Sequence, residues 1–166
     1  APLLLVEGDD DNKIWSQVPR YHKVKLAVIP CNGADEVKNY QKTLEKLFAS
    51  LRTDQTKPVG FALLDGDQTL PTPDTANPQA NIKFIKLSCR ESENLFLTDE
   101  VLTSLGLTDW EATKTKIKAY SVNYGAKQTQ LNNCDSWDRK NSDIKDVILQ
   151  LAQILSPKNV PWTQRV

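Results

Sequence analysis

The chain has 166 residues, of which 39% are hydrophobic and 25% charged, and its formal net charge is zero. This size and composition predict one globular domain with a substantial core. The zero charge argues against a strongly basic surface that coats nucleic acid. No apolar run approaches the roughly 18 residues of a membrane span, so we expect no membrane partner.

The few cysteine and histidine residues indicate the kind of cellular environment in which the protein works. Cys31, Cys89 and Cys134 lie far apart and His22 is the single histidine, so the pattern fits neither a disulfide framework nor a zinc site. We therefore expect a reducing, cytoplasmic environment. The sequence contains no methionine and begins directly with a strand pattern, from which we expect a segment of a longer protein.

The first half of the chain alternates apolar runs with helical patterns. A continuous apolar run predicts a buried strand at 3–6, and Asp9–Asp11 can cap a short helix around 13–17. A second strand is expected at 24–29, and a third at 59–64. Between them a helix is predicted from Asp35 to about Arg52. Its apolar face is defined by spacings of three and four, at Val37, Tyr40, Leu44, Leu47, Phe48 and Leu51.

The second half begins with a long loop and becomes helical. Residues 68–81 contain three prolines and are predicted to form a loop, followed by a fourth strand at 82–87. Helices are expected after Thr98 and after a capping box at 108–111. The polar stretch 121–141 is interpreted as a flexible linker, and a final amphipathic helix is expected from Ser142 to Pro157.

This order of elements predicts an α/β fold. Strands that alternate with helices favour a parallel sheet, here of about four strands, with helices on both faces. We expect the core at residues 1–97 and a helical C-terminal extension of the same domain at 98–166. Ligand sites in such folds lie beyond the carboxyl ends of the strands.

Acidic residues occur at these strand ends. Glu7 ends the first strand, Asp11 follows four residues later, and Asp65 and Asp67 come after the third strand. Neighbouring strand ends are only about 5 Å apart, so several carboxylates there would repel one another unless a proton or a cation intervenes. Mg²⁺ or Mn²⁺ suits such oxygen ligands. Turn formation and helix capping are the alternative explanation, and Asp9 and Asp10 are expected to be caps or solvated charges and not ligands.

Four segments in order resemble a known family. The first strand with Glu7-Gly8 and Asp11 resembles the first motif of Toprim domains, and Asp65-Gly66-Asp67 resembles their Asp-x-Asp motif. Residues 29–33, Ile-Pro-Cys-Asn-Gly, resemble the glycine-bearing end of the second Toprim strand. Residues 88–97 are similar to the Arg-x-x-Glu-Asn-Tyr-Leu segment of nucleases of the overcoming-lysogenization-defect (OLD) type.

The resemblance implies a Toprim fold and an endonuclease that hydrolyses phosphodiester bonds, with DNA as the expected substrate, by means of two Mg²⁺ or Mn²⁺ ions. Glu7, Asp65 and Asp67 would be catalytic. Glu7, Asp11 and Asp65 would hold the first ion, and Asp67 and Glu93 would help to hold the second. An ATPase domain on the same or an associated chain is the implied partner, and a homo-oligomer is compatible with it.

Basic residues are assigned less specifically. Arg90, Lys83 and Lys86 are expected to guide the nucleic-acid backbone, although a solvated surface is the alternative for each lysine. The family also has a lysine near the C-terminal end of the domain, which is either Lys158 or lies beyond Val166.

Other functions stay open at this point. One group is the remaining Toprim activities: a primase, a topoisomerase or an RNA maturase. Another is a regulatory module that binds a cation without catalysis, and a response receiver also uses clustered acids. For Glu91 and Glu93 the alternative is that they are surface charges before a helix, with Arg90 as a partner.

Overall fold

The computed structural model describes residues 1–51, 57–71, 80–156 and 160–166. It divides into two compact units, Ala1–Ser88 and Cys89–Val166. The core expected at residues 1–97, with its extension at 98–166, stays a prediction. The predicted helix end at Arg52, most of the predicted loop at 68–81, and Pro157 with Lys158 lie outside the described residues.

The first unit is a parallel sheet with helices. Its four strands have the order β2-β1-β3-β4, and every adjacent pair is parallel. The predicted α/β fold with about four parallel strands and flanking helices is therefore confirmed. The elements are β1 (Leu3–Val6), α1 (Asp9–Trp15), α2 (Val18–His22), β2 (Ala27–Pro30), α3 (Ala34–Ala49), β3 (Gly60–Leu64) and β4 (Ile82–Lys86).

The apolar run of β1 packs on both faces of the sheet. Leu5 belongs to one buried cluster, to which α3 contributes Val37 and Phe48. Leu4 belongs to the cluster on the opposite face, against which Trp15 of α1 packs. The continuous run of apolar residues thus reflects a central strand that is covered on both sides.

The buried face of α3 differs from the predicted one. Tyr40 and Leu47 are 46% and 55% exposed. Gln41 is buried instead and donates through Nε2 to the carbonyl oxygen of Ile82 at 2.9 Å, while Glu45 Oε1 accepts from Ile82 N at 2.7 Å. The helix therefore turns two polar side chains toward the start of the edge strand β4, because the main chain there needs hydrogen-bond partners.

The segment before α3 also departs from prediction. The second strand begins at Ala27, and Val24 is 48% exposed. The short helix predicted at 13–17 is α1, which begins earlier, and α2 was not predicted. The reason is that Asp9 already occupies the first helical position after Gly8, and Pro19 suits the first turn of a second helix.

The second unit is helical, as predicted for the C-terminal region. Its α-helices are α4 (Asp99–Ser104), α5 (Trp110–Ser121), α6 (Gln128–Asn132) and α7 (Ile148–Leu155). Its 3₁₀ segments are Ser92–Leu97, Val122–Lys127, Cys134–Ser136, Lys145–Val147 and Trp162–Gln164. In the described ranges no helix is both long and apolar enough to cross a membrane.

Three local predictions in this unit were wrong. The stretch 121–141 is folded and not a linker, because Leu131 and Cys134 are fully buried. The cap of α5 is Asp109, whose side chain accepts from Ala112 N, and not the preceding threonine. The last helix begins at Ile148, while Ser142 Oγ accepts a hydrogen bond from Asp138 N. The predicted cap at Thr98 of α4 is confirmed.

Candidate functional site

The strand order gives the sheet a switch point between β1 and β3. The chain passes from β1 to β2 on one side and then crosses to β3 on the other side of β1. In open parallel sheets, ligands bind in the crevice outside the carboxyl ends of the strands at such a point. Glu7 directly follows β1 and Asp65 directly follows β3, so the two predicted acids flank this position.

Glu7 connects the loops that follow three strands. Its side-chain Oε1 accepts a hydrogen bond from Asp65 N at 3.0 Å, after β3. Its main-chain oxygen accepts from Gly33 N at 2.7 Å, after β2. Gly33 has a φ of 117°, which glycine tolerates and other residues rarely adopt. The half-buried Glu7 carboxylate is therefore held in a defined orientation at the switch point.

The turn that carries Asp65 and Asp67 is closed by Gln68. Asp65 O accepts from Gln68 N at 3.1 Å, and Asp67 Oδ1 accepts from Gln68 Nε2 at 3.1 Å. Lys86 Nζ, at the end of β4, donates to Gln68 O at 3.2 Å. Sequence reasoning did not identify Gln68. The only signal available was a polar residue directly after the Asp-x-Asp motif.

The other acids near Glu7 contribute to the start of α1. Asp11 Oδ2 accepts from Gly8 N at 3.0 Å, which is the geometry of a helix cap, and Asp11 was predicted as a metal ligand. Asp10 forms an exposed ion pair with Lys13 at 3.2 Å, consistent with its interpretation as a solvated charge. Asp11 is thus near Glu7 along the chain, but its carboxylate is engaged with the helix terminus.

The type of donor fits a hard divalent cation better than a soft one. Glu7, Asp65 and Asp67 offer carboxylate oxygens, the ligands that Mg²⁺ and Mn²⁺ prefer. Burial raises the pKa of the nearby Cys31 thiol, which keeps it protonated and disfavours a thiolate ligand. In the described part of the chain, however, no three His, Cys, Asp or Glu side chains are grouped so that they could hold a metal ion. Glu7, Asp65 and Asp67 therefore follow neighbouring strands at the same edge of the sheet, but their side chains are not grouped as a complete set of metal ligands.

Glu93 lies in the second unit, in a 3₁₀ segment held by its neighbour Asn94. The Asn94 side chain accepts from Glu91 N at 3.0 Å and donates to Arg139 O at 3.0 Å and Ser142 O at 2.9 Å. Glu93 itself is only 7% exposed. Of the Glu93-Asn94 pair in the motif, Asn94 thus has a defined structural role. The metal-binding role expected for Glu93 stays a prediction.

Arg90 contacts carboxylates of the second unit. Its Nε donates to Glu91 Oε1 at 3.1 Å, and its Nη2 lies 3.9 Å from Asp143 Oδ2. Lys145 Nζ lies 3.9 Å from the other oxygen of Glu91. Glu91 is 7% exposed, which argues against the alternative that it is a surface charge, whereas the pairing with Arg90 that this alternative included is observed.

The basic residues predicted to guide the nucleic-acid backbone differ in their exposure and in their contacts. Lys83 and Lys86 are exposed on β4, and Lys86 contacts Gln68. Arg90 is engaged with two acids, and a guanidinium so engaged offers less of its charge to a phosphate. Lys158 lies outside the described residues.

A scan against protein-family models gave no match, and neither the search of curated proteins nor that of solved structures gave a significant one. The interpretation of the site consequently depends on its motifs, its topology and its contacts.

Proposed function

We propose that this chain is a metal-dependent nuclease domain that hydrolyses phosphodiester bonds of DNA, and that it works together with an ATPase domain on the same or an associated chain. The observation that carries the proposal is the hydrogen bond from Asp65 N to Glu7 Oε1, 3.0 Å long, across the switch point of the sheet. It supports a site because it orients an acid at the position where such sheets bind ligands.

The acids of the first unit would hold the cation. Glu7 is oriented by a main-chain N–H group, and Asp65 and Asp67 present their carboxylates from the turn closed by Gln68. A bound Mg²⁺ or Mn²⁺ would supply a water of lowered pKa and neutralise charge on the phosphate. Asp11 and, for a second ion, Glu93 are added by the resemblance to OLD nucleases.

The charge of the site itself implies metal dependence. Three carboxylates at one sheet edge would repel a phosphodiester, and the formal net charge of zero supplies no general attraction. A divalent cation would reverse this local repulsion. The proposal therefore requires the cation for binding of the substrate as well as for the reaction.

The test uses substitutions that preserve shape. Glu7→Gln retains an oxygen that can accept from Asp65 N but removes the charge, and Asp65→Asn retains the main-chain N–H. We expect each to reduce nicking of supercoiled plasmid with Mg²⁺ or Mn²⁺ by at least about a hundredfold, because a ligand of the cation is lost. Asp10→Asn, which changes an exposed acid in the neighbouring turn, is the control and should cut like the parent chain.

Three outcomes would overturn the proposal. Unchanged nicking by Glu7→Gln and Asp65→Asn would remove these acids from the reaction. Cation binding by the parent chain without strand breakage, also when the ATPase partner is present, would favour the cation-binding regulatory module. Template-dependent primer synthesis or strand passage would favour another Toprim activity.

A further inference from the structure

We propose that the segment Arg20–Lys25 is a nucleic-acid-binding surface that holds single strands without a metal ion. The segment comprises the end of α2 and the connection to β2. The inference goes beyond the proposed function, because it concerns a second surface and a contact in which the acids at the strand ends take no part. Its use in the cutting of DNA rests on the proposed function, whereas the binding itself does not.

The segment concentrates positive charge in a part of the chain without acids. No Asp or Glu occurs between Asp11 and Asp35, whereas Arg20, Lys23 and Lys25 fall within six residues. All six residues from 20 to 25 are exposed. Among the described residues, these three cations have no acid as an ion-pair partner. A chain with no net charge therefore has a local surface that attracts phosphates.

The aromatic side chain of Tyr21 directly follows the first of these cations. It is 75% exposed, more than any other large apolar or aromatic side chain in the described ranges, so its ring contributes little to the core. Phosphate contacts would suit any nucleic acid, whereas an exposed ring beside them can stack on a base. The bases of a duplex are already stacked on one another, and their faces are available in a single strand. Tyr21 therefore favours a single strand as the ligand.

The segment lies at the edge of the sheet opposite to the strand-end acids. It precedes β2, and Ala27, the first residue of that strand, pairs with Leu3 at the start of β1. Glu7 follows the other end of β1, whose four residues span about 13 Å. The two surfaces are therefore separate. Three cations neutralise about three phosphates, so binding at Arg20–Lys25 is weak, and a cation at the acids remains the attraction for the phosphate that is cut.

The first measurement is binding without a metal ion. Fluorescence anisotropy of a labelled oligothymidylate in EDTA compares the parent chain with an Arg20→Gln, Lys23→Gln double variant. We expect the dissociation constant at low salt to rise about tenfold, because two phosphate contacts are lost. The slope of log affinity against log salt concentration should change from about −2 to about −0.7, since each phosphate contact with a single strand contributes about −0.7. Lys42→Gln with Lys46→Gln removes the same charge from exposed positions of α3 and is the control, which should bind like the parent.

The second measurement separates the contribution of Tyr21 from that of charge. Tyr21→Ala should weaken binding of the single strand about five- to tenfold and leave the affinity for a duplex of the same length within about twofold, because the duplex offers no free base face. Tyr21→Phe keeps the ring and should bind both ligands like the parent. Tyr40→Ala removes an exposed tyrosine of α3 and is the control. Thermal melting of each variant verifies that the fold is retained.

The possible results are distinct. Unchanged affinity for the oligonucleotide in the charge variant or in Tyr21→Ala would overturn the inference. Loss of binding to vesicles that contain phosphatidylserine, with unchanged affinity for the oligonucleotide, would also overturn it and assign the segment to a lipid surface. A parent chain that binds the oligonucleotide through these residues but does not nick plasmid with Mg²⁺ or Mn²⁺, also when the ATPase partner is present, would instead reject the proposed function and support this inference.

Discussion

Single polar side chains join distant segments in both units of this protein. Asn94 is an example: it is 3% exposed and uses its carbonyl and both of its N–H groups. One side chain thereby connects the segment that contains Glu93 to residues 139–142. Arg90 N adds a parallel hydrogen bond to Lys140 O at 2.8 Å. The position of Glu93 consequently depends on its neighbour.

Asn94→Asp should destabilise the second unit strongly. The change preserves volume and the acceptor for Glu91 N, but it places a carboxylate oxygen against the carbonyl oxygens of Arg139 and Ser142. Losing two buried hydrogen bonds and leaving these acceptors unpaired should cost about 2–5 kcal/mol of unfolding free energy. Urea denaturation followed by circular dichroism measures this. Asn123→Asp, at an exposed position of the same unit, is the control, and equal denaturation midpoints for the two variants would contradict the prediction.

At the residue scale, motif acids were easier to predict than their partners. Glu7 and Asp65 were accessible to sequence reasoning because each directly follows an apolar run, and strand ends meet at one edge of a parallel sheet. Gln68 and Gln41 were not, because a lone glutamine carries no periodic signal and its contacts depend on the register of β4. The contact between Glu7 and Asp65 N likewise required the strand order.

At the scale of elements, ion pairs link α5 to the 3₁₀ segment Cys134–Ser136. Lys114 Nζ lies 2.8 Å from Glu111 and 3.4 Å from Asp135, and Lys118 also donates to Asp135. The hydrogen bond from Lys118 holds the pKa of Asp135 below its usual value. The carboxylate therefore favours the folded state when it is ionised.

The lowered pKa of Asp135 predicts that the protein loses stability in acid. Because the pKa of Asp135 is lower in the folded protein, its stabilising contribution is complete above the unfolded value near 3.8 and is lost as the pH falls through the folded value. Asp135→Asn should therefore lower the thermal midpoint at neutral pH, and the difference from the parent should shrink as the pH falls below 3.8. Melting curves across this range measure it. Asp146→Asn, at an exposed position of the same unit, is the control, and its thermal midpoint should match that of the parent at each pH. If the thermal midpoint of Asp135→Asn differed from that of the parent by the same amount at every pH, the stabilising role of ionised Asp135 would be contradicted.

Elements with strong apolar periodicity were predicted well, and polar ones were not. The buried run of β3 and the amphipathic α3 have local patterns that determine their type. The 121–141 stretch has few apolar residues, and its folding depends on the burial of Leu131 and Cys134, contacts that no local pattern specifies. The beginning of β2 at Ala27 similarly depends on pairing with Leu3 of β1.

For the molecule as a whole, charge balance constrains how the proposed substrate, DNA, could be bound. The chain has 21 basic and 21 acidic residues, and several of its cations are already engaged with carboxylates. With no net charge, the chain as a whole offers no general attraction for the phosphates of DNA, the usual source of affinity that does not depend on sequence. A cation held by Glu7, Asp65 and Asp67 would be the main attraction for a phosphate.

Binding to DNA should therefore depend on the divalent ion. Fluorescence anisotropy with a labelled duplex should show affinity at least about tenfold higher, equal to about 1.4 kcal/mol, in Ca²⁺ than in EDTA. Ca²⁺ is the probe because it accepts the same oxygen ligands. In a Glu7→Gln, Asp65→Asn double variant the difference should disappear, since the ion has lost its ligands. Tight binding in EDTA with a steep dependence on salt would show instead that a basic surface, and not the acidic site, recruits the nucleic acid.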